Sequence, residues 1–218
     1  MSMEIPPVFP KEWDIRKEIF EDGCIVHYSH DRCGSGLMHL CEPLPGIAVA
    51  YNVVDACGIT LPSWFRTDSL FINFCSEGCC EINYSAAGSV MLGPNSASIS
   101  KLPIQSYIFP SGHYIGSELL FNPSSMSADL KTLLDEAMRS FPNVSSHDRS
   151  ETFVYAFSGD SGLQEHFKLL APRKTIGRID RHVARDAVKN LLLYCASPSF
   201  RDEPRPRYRR ITSAQRQI

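Results

Sequence analysis

Apolar and polar residues alternate in short runs from Gly23 to Phe121, which is the pattern of half-buried β-strands. Clusters of glycine, proline, asparagine and serine separate the runs, as at Glu42–Gly46 and Gly93–Asn95. The predicted strands are Cys24–Tyr28, Gly36–Cys41, Ile47–Val54, Leu70–Cys75, Cys80–Tyr84, Ser89–Leu92, Ala97–Leu102, Ser106–Phe109 and Tyr114–Phe121. Strands at this spacing, with no helices between them, predict a β-sandwich or β-barrel.

The stretch Leu70–Tyr84 predicts how two of these strands are connected. Leu70, Ile72 and Phe74 fall on one face of the first strand, because side chains alternate along a strand. Ser76-Glu77-Gly78 follows as a three-residue loop in which the glycine can adopt a positive φ. We therefore predict a β-hairpin over this stretch, in a half-buried antiparallel sheet.

The pattern changes to a helical period after Phe121. The breaker Asn122–Ser125 precedes a helix whose apolar stripe runs from Leu130 to Phe141, and a shorter helix is predicted at Leu163–Leu170. The strongest helical signal runs from Ile179 to Cys195, with Asp180 near its start. Residues 4–20 mix prolines with a segment that fits either a short helix or an arm lying across the body.

Composition narrows the class of protein. The 218 residues fit one large domain, or one domain with an extension, and a net charge of −2 argues against a chain that binds nucleic acid throughout. The sequence has neither a membrane-length apolar stretch nor a signal peptide, so we expect a cytoplasmic protein with no membrane contact. We expect its eight cysteines to stay reduced, several of them as small buried apolar side chains.

Two short motifs resemble a known family. Ile72-Asn73-Phe74-Cys75-Ser76-Glu77-Gly78-Cys79-Cys80-Glu81 resembles the hairpin of the sensor domains in a subgroup of AraC-type transcription regulators, and the segment from Phe109-Pro110 to His113-Tyr114-Ile115-Gly116 resembles a strand of the same domains. The resemblance covers roughly residues 35–200. Phe74 stands where the subgroup usually has a polar residue, often histidine, and Cys79-Cys80 replace its usual polar pair.

The pattern and the resemblance together predict an α+β fold, namely a cupin-like antiparallel β-barrel (jelly roll) followed by C-terminal helices. An immunoglobulin sandwich is less favoured because its Cys–Trp–Cys framework is missing, with Trp64 in a turn-rich segment. The predicted organisation is an N-terminal arm at 1–22, the barrel at 23–121, a helical dimerisation segment at 122–198 and a linker at 199–218. The linker is rich in arginine and proline and leads toward a DNA-binding helix-turn-helix half that this sequence does not contain.

The resemblance implies the partners as well. It implies a homodimer, an unknown small-molecule effector bound in the barrel, and contact with DNA only through the missing half. In AraC-type sensor domains the helices after the barrel form the dimer interface. The residues that this implies here are Ile179, Val183, Val188, Leu191 and Leu192. The sequence alone leaves open whether this face packs on the barrel or on a partner.

Aromatic residues concentrate in the β region, where they either line a small-molecule pocket or fill the core. The pocket candidates, including two histidines, are His27, Tyr51, Trp64, Phe71, Phe74, Tyr84, Tyr107, His113 and Tyr114.

An alternative function is a metal-dependent cupin enzyme acting on a small organic molecule. His27 and His30 are three residues apart and therefore point to opposite faces of a strand, while His39 and His113 lie elsewhere. Cys75, Cys79 and Cys80 have no second metal-binding element, and no nucleophile elbow or phosphate-binding loop is present. We therefore expect no metal, no cofactor and no catalytic residues.

Overall fold

The computed structural model describes residues 12–60, 69–84, 88–102, 104–141, 154–198 and 200. Twelve strands and three helices follow one another in the described chain. The strands are β1 Asp14–Phe20, β2 Gly23–His30, β3 Gly34–Leu44, β4 Ile47–Ala56, β5 Gly58–Thr60, β6 Leu70–Gly78, β7 Cys80–Tyr84, β8 Gly88–Leu92, β9 Ser96–Ser100, β10 Ile104–Ile108, β11 Tyr114–Phe121 and β12 Val154–Ser158. The helices are α1 Ala128–Met138, α2 Ser161–Lys168 and α3 Arg181–Ala196.

The strands form two antiparallel sheets. The larger sheet has the order β1-β2-β3-β4-β11-β6-β9-β12 and the smaller one the order β5-β10-β7-β8. From β4 to β11 the chain crosses between the sheets at every step except from β7 to β8, which is the connectivity of a double-sheet jelly roll. The predicted fold class, an α+β cupin-like barrel followed by helices, is confirmed.

The larger sheet is covered on both faces, since alternating residues of its strands contribute to two different cores. On β6, Ile72 and Phe74 belong to the core under the helices, whereas Phe71 and Cys75 belong to the core between the two sheets. We call these the helix-side core and the inter-sheet core. The central strands of the larger sheet are therefore buried on both faces, which explains the nearly continuous apolar sequence of β6.

Capping residues fix where the helices begin. The Asp180 carboxylate accepts hydrogen bonds from the backbone N–H groups of His182 (3.0 Å) and Val183 (3.2 Å) at the start of α3. These two bonds are the main reason why the pKa of Asp180 is lowered. The Asp160 carboxylate caps α2 in the same way, accepting from the Leu163 N–H at 2.7 Å. None of the helices in the described part of the chain has the length and apolar character needed to cross a bilayer.

The predicted hairpin at Leu70–Tyr84 is wrong in its pairing. The side chains of β6 have the predicted faces, but β6 pairs with β11 and β9, while β7 pairs with β10 and β8. The chain changes sheets after Gly78, whose φ of 73° lies in the left-handed region. Alternation predicts which face a side chain takes but not which strand lies beside it, so it does not distinguish a corner between sheets from a hairpin turn.

The two ends of the barrel also contain strands that the sequence pattern did not predict. Residues 14–20 form a strand and not a short helix, because β1 pairs along its whole length with β2 as an edge strand. Its charged residues are typical of an edge, which must avoid pairing with other chains. β12 lies within the segment predicted to be helical, yet it pairs with β9 and extends the larger sheet.

Candidate functional site

Polar side chains form a continuous row across the inner face of the larger sheet. Glu118 on β11 lies opposite Asn73 on β6, and Asn73 lies opposite Ser98 on β9. In the next row, Phe71 lies opposite Ser100. Directly opposed residues of antiparallel strands point to the same face, so all of these side chains face the smaller sheet.

Several polar atoms in this row have no hydrogen-bond partner among the described residues. Asn73 has no exposed surface, and neither its Oδ1 nor its Nδ2 atom is paired. The hydroxyls of Ser98 and Ser100 are also fully buried, and they make no hydrogen bond of full distance and angle among the described residues, although both lie close enough to the Tyr84 hydroxyl to lower its pKa. Buried polar groups are normally paired, and leaving one without a partner costs about 1–3 kcal/mol. This face is therefore equipped for hydrogen bonds that the protein does not itself make.

Glu118 adds an ionisable group to the row. Its Oε1 atom accepts a hydrogen bond from Asn52 Nδ2 at 3.3 Å. Burial raises the pKa of Glu118 to about 7, and a hydrogen bond from Tyr107 opposes part of that shift. The side chain nevertheless retains some accessible surface, although it points between the sheets. Glu118 is therefore a mostly buried carboxyl group on the face of β11 that points toward the smaller sheet.

Several aromatic rings belong to the core that Glu118 faces. The rings of Phe109 and Tyr114 are stacked with centroids 5.2 Å apart, and Tyr107 stacks on Phe109 at 6.4 Å. Gly116 and Gly36 make room for the tyrosines, since a Cβ atom at either position would collide with the hydroxyl of Tyr114 or Tyr28. The phenol groups of Tyr28, Tyr107 and Tyr114 therefore lie in the inter-sheet core, toward which the polar row also points.

Burial raises the pKa of every one of these phenols, and the nearby Glu118 charge adds to the effect. The affected residues are Tyr28, Tyr84, Tyr107 and Tyr114. For Tyr84 the pKa reaches about 12, although the neighbouring Ser100 and Ser98 hydroxyls lower it. Its oxygen still lacks a partner at hydrogen-bond distance and angle among the described residues. The phenols are therefore neutral hydrogen-bonding groups at physiological pH.

The structure brings four of the nine sequence-predicted pocket residues together. Phe71, Tyr84, Tyr107 and Tyr114 all belong to the inter-sheet core, where they surround the polar row. Trp64 lies outside the described residues.

The other four pocket candidates lie elsewhere, because they occupy the opposite strand face or the surface. Phe74 points to the helix-side core, where its ring stacks on Phe167 of α2 at 4.5 Å. Tyr51 packs against that same core. His27 is bonded to Glu18 at 3.1 Å, and His113 to Asp55 at 2.6 Å, in each case with both side chains substantially exposed. These four residues do not line the inter-sheet space.

The polar members of the site were missed by sequence reasoning, which looked for aromatic residues. Asn73 is a lone amide in an apolar run, and Glu118 is a lone carboxylate in another. The serines of β9 alternate with apolar residues, so that Ser96, Ser98 and Ser100 share one face. Single polar residues on an otherwise buried strand face were the signal that could have revealed the site.

The candidate dimer residues on and before α3 belong to this chain's own core. Ile179, Val188, Leu191 and Leu192 are all at most 3% exposed and contribute to the helix-side core. Val183 is half-buried. In the single chain, this face of α3 packs in the helix-side core. A dimer remains a prediction, but these four side chains do not present a surface to a partner.

The described histidines do not converge on a common point. His27 and His30 lie on opposite faces of β2, as predicted, while His39 is buried halfway along β3 with its Nδ1 atom unpaired among the described residues. Within the same part of the chain, no group of three or more histidine, cysteine, aspartate or glutamate side chains has the arrangement of a metal site.

A shallow pocket on the outer side of the larger sheet is too small for an effector. It lies between the β1–β3 strands and the segment before α3, with Cys24, His39, Cys41 and Arg178 among its lining residues. Its volume of about 10 Å³ has room for a single water molecule at most.

Comparison with known proteins gives only remote similarity. A scan against protein-family models finds no match, and a search of curated proteins finds no significant one. Among solved structures, unsaturated fatty acid-bound ToxT from Vibrio cholerae is 10% identical, with a TM-score of 0.39 over 68% of this chain and 52% of that one. A Bacillus subtilis oxalate decarboxylase mutant is 10% identical, with a TM-score of 0.34 over 53% and 29% of the two chains. YhhW from Escherichia coli is 10% identical, with a TM-score of 0.31 over 51% and 49%. This chain thus spans about half, or less, of the length of these proteins.

Proposed function

We propose that this chain is the effector-sensing domain of an AraC-type transcription regulator, which binds a small molecule between the two sheets of its barrel. The observation that carries the proposal is Asn73, an amide without exposed surface and without a hydrogen-bond partner among the described residues. Ser98 and Ser100 on the neighbouring strand are also fully buried, and they lie beside the Tyr84 hydroxyl. Small-molecule sites typically combine an apolar, aromatic lining with a few convergent polar groups, and this interior has that composition.

The position of the site on the larger sheet supports a sensing role. Asn73 faces the inter-sheet space, while the next residue, Phe74, faces the opposite side and stacks on Phe167 of α2. A shift of β6 on ligand binding therefore acts directly on the packing of a helix. Such a ligand favours the arrangement of strands and helices that it binds more tightly, which is a shift of populations.

The assignment to a regulator rests on the sequence resemblance and on the order of elements. The Ile72–Glu81 and Phe109–Gly116 motifs resemble those of AraC-type sensor domains. This resemblance implies a barrel followed by helices, which is the order of the elements in this chain. In such a regulator the helices transmit the effector signal to DNA-binding domains beyond the linker. The chain itself then acts as a binding module and catalyses no reaction.

Capture of metabolites tests the binding function even though the effector is unidentified. The purified protein is incubated with a metabolite extract of the source organism and separated from free metabolites, and the retained compounds are identified by mass spectrometry. Ser98→Leu places an apolar side chain in the polar row, so we expect the retained compound to be lost in this variant. Ser29→Leu, at an exposed position of β2, is the matched control.

Circular dichroism and thermal denaturation must show that each variant is folded. If Ser98→Leu does not fold, Asn73→Leu replaces it, because leucine has the same branching and the same number of side-chain heavy atoms as asparagine. Equal retention by the wild-type protein and by a folded interior variant contradicts binding between the sheets. Retention of no compound by the wild-type protein contradicts the sensing function.

A further inference from the structure

Cys33 and Cys57 lie next to each other at one end of the barrel. Cys33 is the last residue of the turn between β2 and β3, and Cys57 directly follows β4, where the chain leaves the larger sheet for the smaller one. Gly34 pairs with Ala56 in the register of β3 and β4, so the two cysteines are the next opposed pair. The Cys57 N–H donates to the Cys33 carbonyl oxygen at 3.0 Å, which continues the pairing to these residues.

This pairing gives the two cysteines the backbone separation that a disulfide needs. Opposed residues at a hydrogen-bonded position of an antiparallel pair have Cα atoms about 5.5 Å apart, and disulfides most often join Cα atoms about 5.5–6 Å apart. The two thiols also lie within hydrogen-bonding distance of each other. Gly34 permits the close approach, since a Cβ atom at this position would collide with the backbone of Asp55 and Ala56. A disulfide between Cys33 and Cys57 therefore needs no rearrangement of the strands.

The same pair is accessible to a dissolved oxidant. Cys57 is the only exposed cysteine of the eight, all of which lie in the described part of the chain with free thiols. Cys33 and Cys79 are half-buried, and Cys79 Sγ donates to Ser111 Oγ at 3.6 Å. The remaining cysteines are buried, namely Cys24, Cys41, Cys75, Cys80 and Cys195. Because oxidation of a thiol requires access to it, Cys57 should react first.

We propose that Cys33 and Cys57 form a reversible disulfide when the protein meets a small disulfide oxidant such as oxidised glutathione, so that this end of the barrel is a redox-sensitive site. The proposal does not depend on a ligand between the sheets. Under reducing conditions both thiols stay free, as the sequence predicts.

Two steps of thiol–disulfide exchange form this bond. The exposed Cys57 thiol loses its proton to solvent, and its sulfur atom attacks one sulfur atom of oxidised glutathione, which gives a mixed disulfide and releases one reduced glutathione. Burial and the neighbouring Cys57 thiol raise the pKa of Cys33, so Cys33 acts in the second step. Its sulfur atom loses a proton and attacks the Cys57 sulfur atom, which releases the second reduced glutathione. Two protein thiols are thereby oxidised, and one glutathione disulfide is reduced to two thiols.

The disulfide joins the β2–β3 turn to the corner between the two sheets. The Cys57 carbonyl oxygen accepts a hydrogen bond from the Phe109 N–H at 2.9 Å, and the Phe109 ring stacks on Tyr114 in the inter-sheet core. Oxidation therefore fixes a backbone segment that is bonded directly to a residue of that core.

Equilibration in glutathione buffers tests the proposal. The purified protein is equilibrated at a series of ratios of reduced to oxidised glutathione, and the remaining free thiols are blocked with N-ethylmaleimide. Endoproteinase Asp-N cleaves before Asp31, Asp55 and Asp68, so Cys33 and Cys57 are recovered on different peptides unless a disulfide joins them. Mass spectrometry quantifies the linked and the blocked peptides. We expect peptides 31–54 and 55–67 to be linked in the oxidised wild-type protein.

Matched variants assign the bond. Cys33→Ser and Cys57→Ser each remove one partner, so neither should give the linked peptides. Cys41 shares the peptide of Cys33, and the Cys33→Ser variant excludes it as the partner. Cys79→Ser is the control, and it should form the linked peptides to the wild-type extent. Linked peptides that persist in Cys33→Ser, or blocked Cys33 and Cys57 in the wild type without reduced glutathione, overturn the proposal.

Repeating the equilibration in urea shows whether the fold holds the two thiols together. Thiols held side by side have a higher effective concentration than thiols in an unfolded chain, and this favours their disulfide. At the midpoint of oxidation, we therefore expect the ratio [GSH]²/[GSSG] to be at least about tenfold higher for the folded protein. Circular dichroism must show that each variant is folded without urea, and Cys57→Ser suffices if Cys33→Ser is not. Equal midpoints for the folded and unfolded protein overturn the proposal.

Discussion

Glu118 on β11 and Asn73 on β6 lie opposite each other in the register of the larger sheet, with both side chains directed between the two sheets. One is a carboxyl group with a pKa near neutrality, and the other is an amide whose two polar atoms are unpaired among the described residues. Two such groups side by side in a core destabilise the protein. Their presence is explained if the inter-sheet space exists to bind a ligand.

Replacing Glu118 should stabilise the protein at high pH but not at low pH. Its pKa is raised from 4.5 in the unfolded chain to about 7 in the fold, so the unfavourable contribution is absent below pH 4.5, grows as the pH rises, and is complete above pH 7. The difference between 4.5 and about 7 corresponds to a contribution on the order of 3 kcal/mol, which Glu118→Gln removes. Urea denaturation at pH 4.5 and pH 8 checks this, and equal stability of the two proteins at pH 8 would contradict it.

Replacing Asn73 by leucine should also raise stability. The change removes an unpaired buried amide and keeps the branching and the number of side-chain heavy atoms, and an unpaired buried polar group costs about 1–3 kcal/mol. Asn83→Leu is the control, since Asn83 Nδ2 donates a hydrogen bond to Ser106 Oγ at 3.2 Å and its loss should leave stability unchanged or lower. Thermal denaturation of the two variants gives the comparison. A large loss of stability in Asn73→Leu would mean that the amide is satisfied within the fold.

Charges at two nearby positions of α3 should have very different effects. Leu191 is 1% exposed in the helix-side core, whereas Leu193 is 56% exposed. Leu191→Asp buries a charge and should destabilise the chain by at least about 4 kcal/mol, while Leu193→Asp should change stability by less than about 1 kcal/mol. Denaturation combined with sedimentation checks this. If the Leu191→Asp protein folds normally and only loses its ability to dimerise, Leu191 lies in a dimer interface and the prediction is wrong.

The stacked rings of Phe74 and Phe167 should be a main attachment of α2 to the barrel. Phe167 is 1% exposed, and its ring lies parallel to that of Phe74 at 4.5 Å. Phe167→Ala should destabilise the protein by about 3–5 kcal/mol. Leu169→Ala, at a position 50% exposed just after the same helix, should stay within about 0.5 kcal/mol of the wild type. The free energy of unfolding is measured for the wild type and for both variants, and a similar value for Phe167→Ala and Leu169→Ala would contradict the prediction.

The face that a residue occupies could be predicted from the sequence, because alternation along a strand is a local property. It correctly placed Leu70, Ile72 and Phe74 together, and the bounds of β7 and β11 were predicted to the residue. Strand pairing could not be predicted, because it depends on residues far away in the chain. Gly78 closes a corner between two sheets, and a hairpin would have used the same residue.

The site could be predicted only in part. Large aromatic residues such as Tyr107 and Tyr114 drew attention to the barrel interior, and the structure groups them there. Phe74 looked equally suitable until the structure showed its face of β6 under α2. Asn73 and Glu118 gave no motif, because a single polar residue in a strand is usually a surface residue. Only the two-sided burial of β6 and β11 makes such a residue unusual.

The measurement that tests this account most directly is the titration of the Glu118 carboxyl carbon by NMR. The resonance is assigned by its absence in Glu118→Gln, and its shift is followed from pH 3 to pH 9. We predict a midpoint of about 7. A midpoint near the ordinary value of a glutamate, about 4.3, would contradict a desolvated carboxyl group that points between the two sheets.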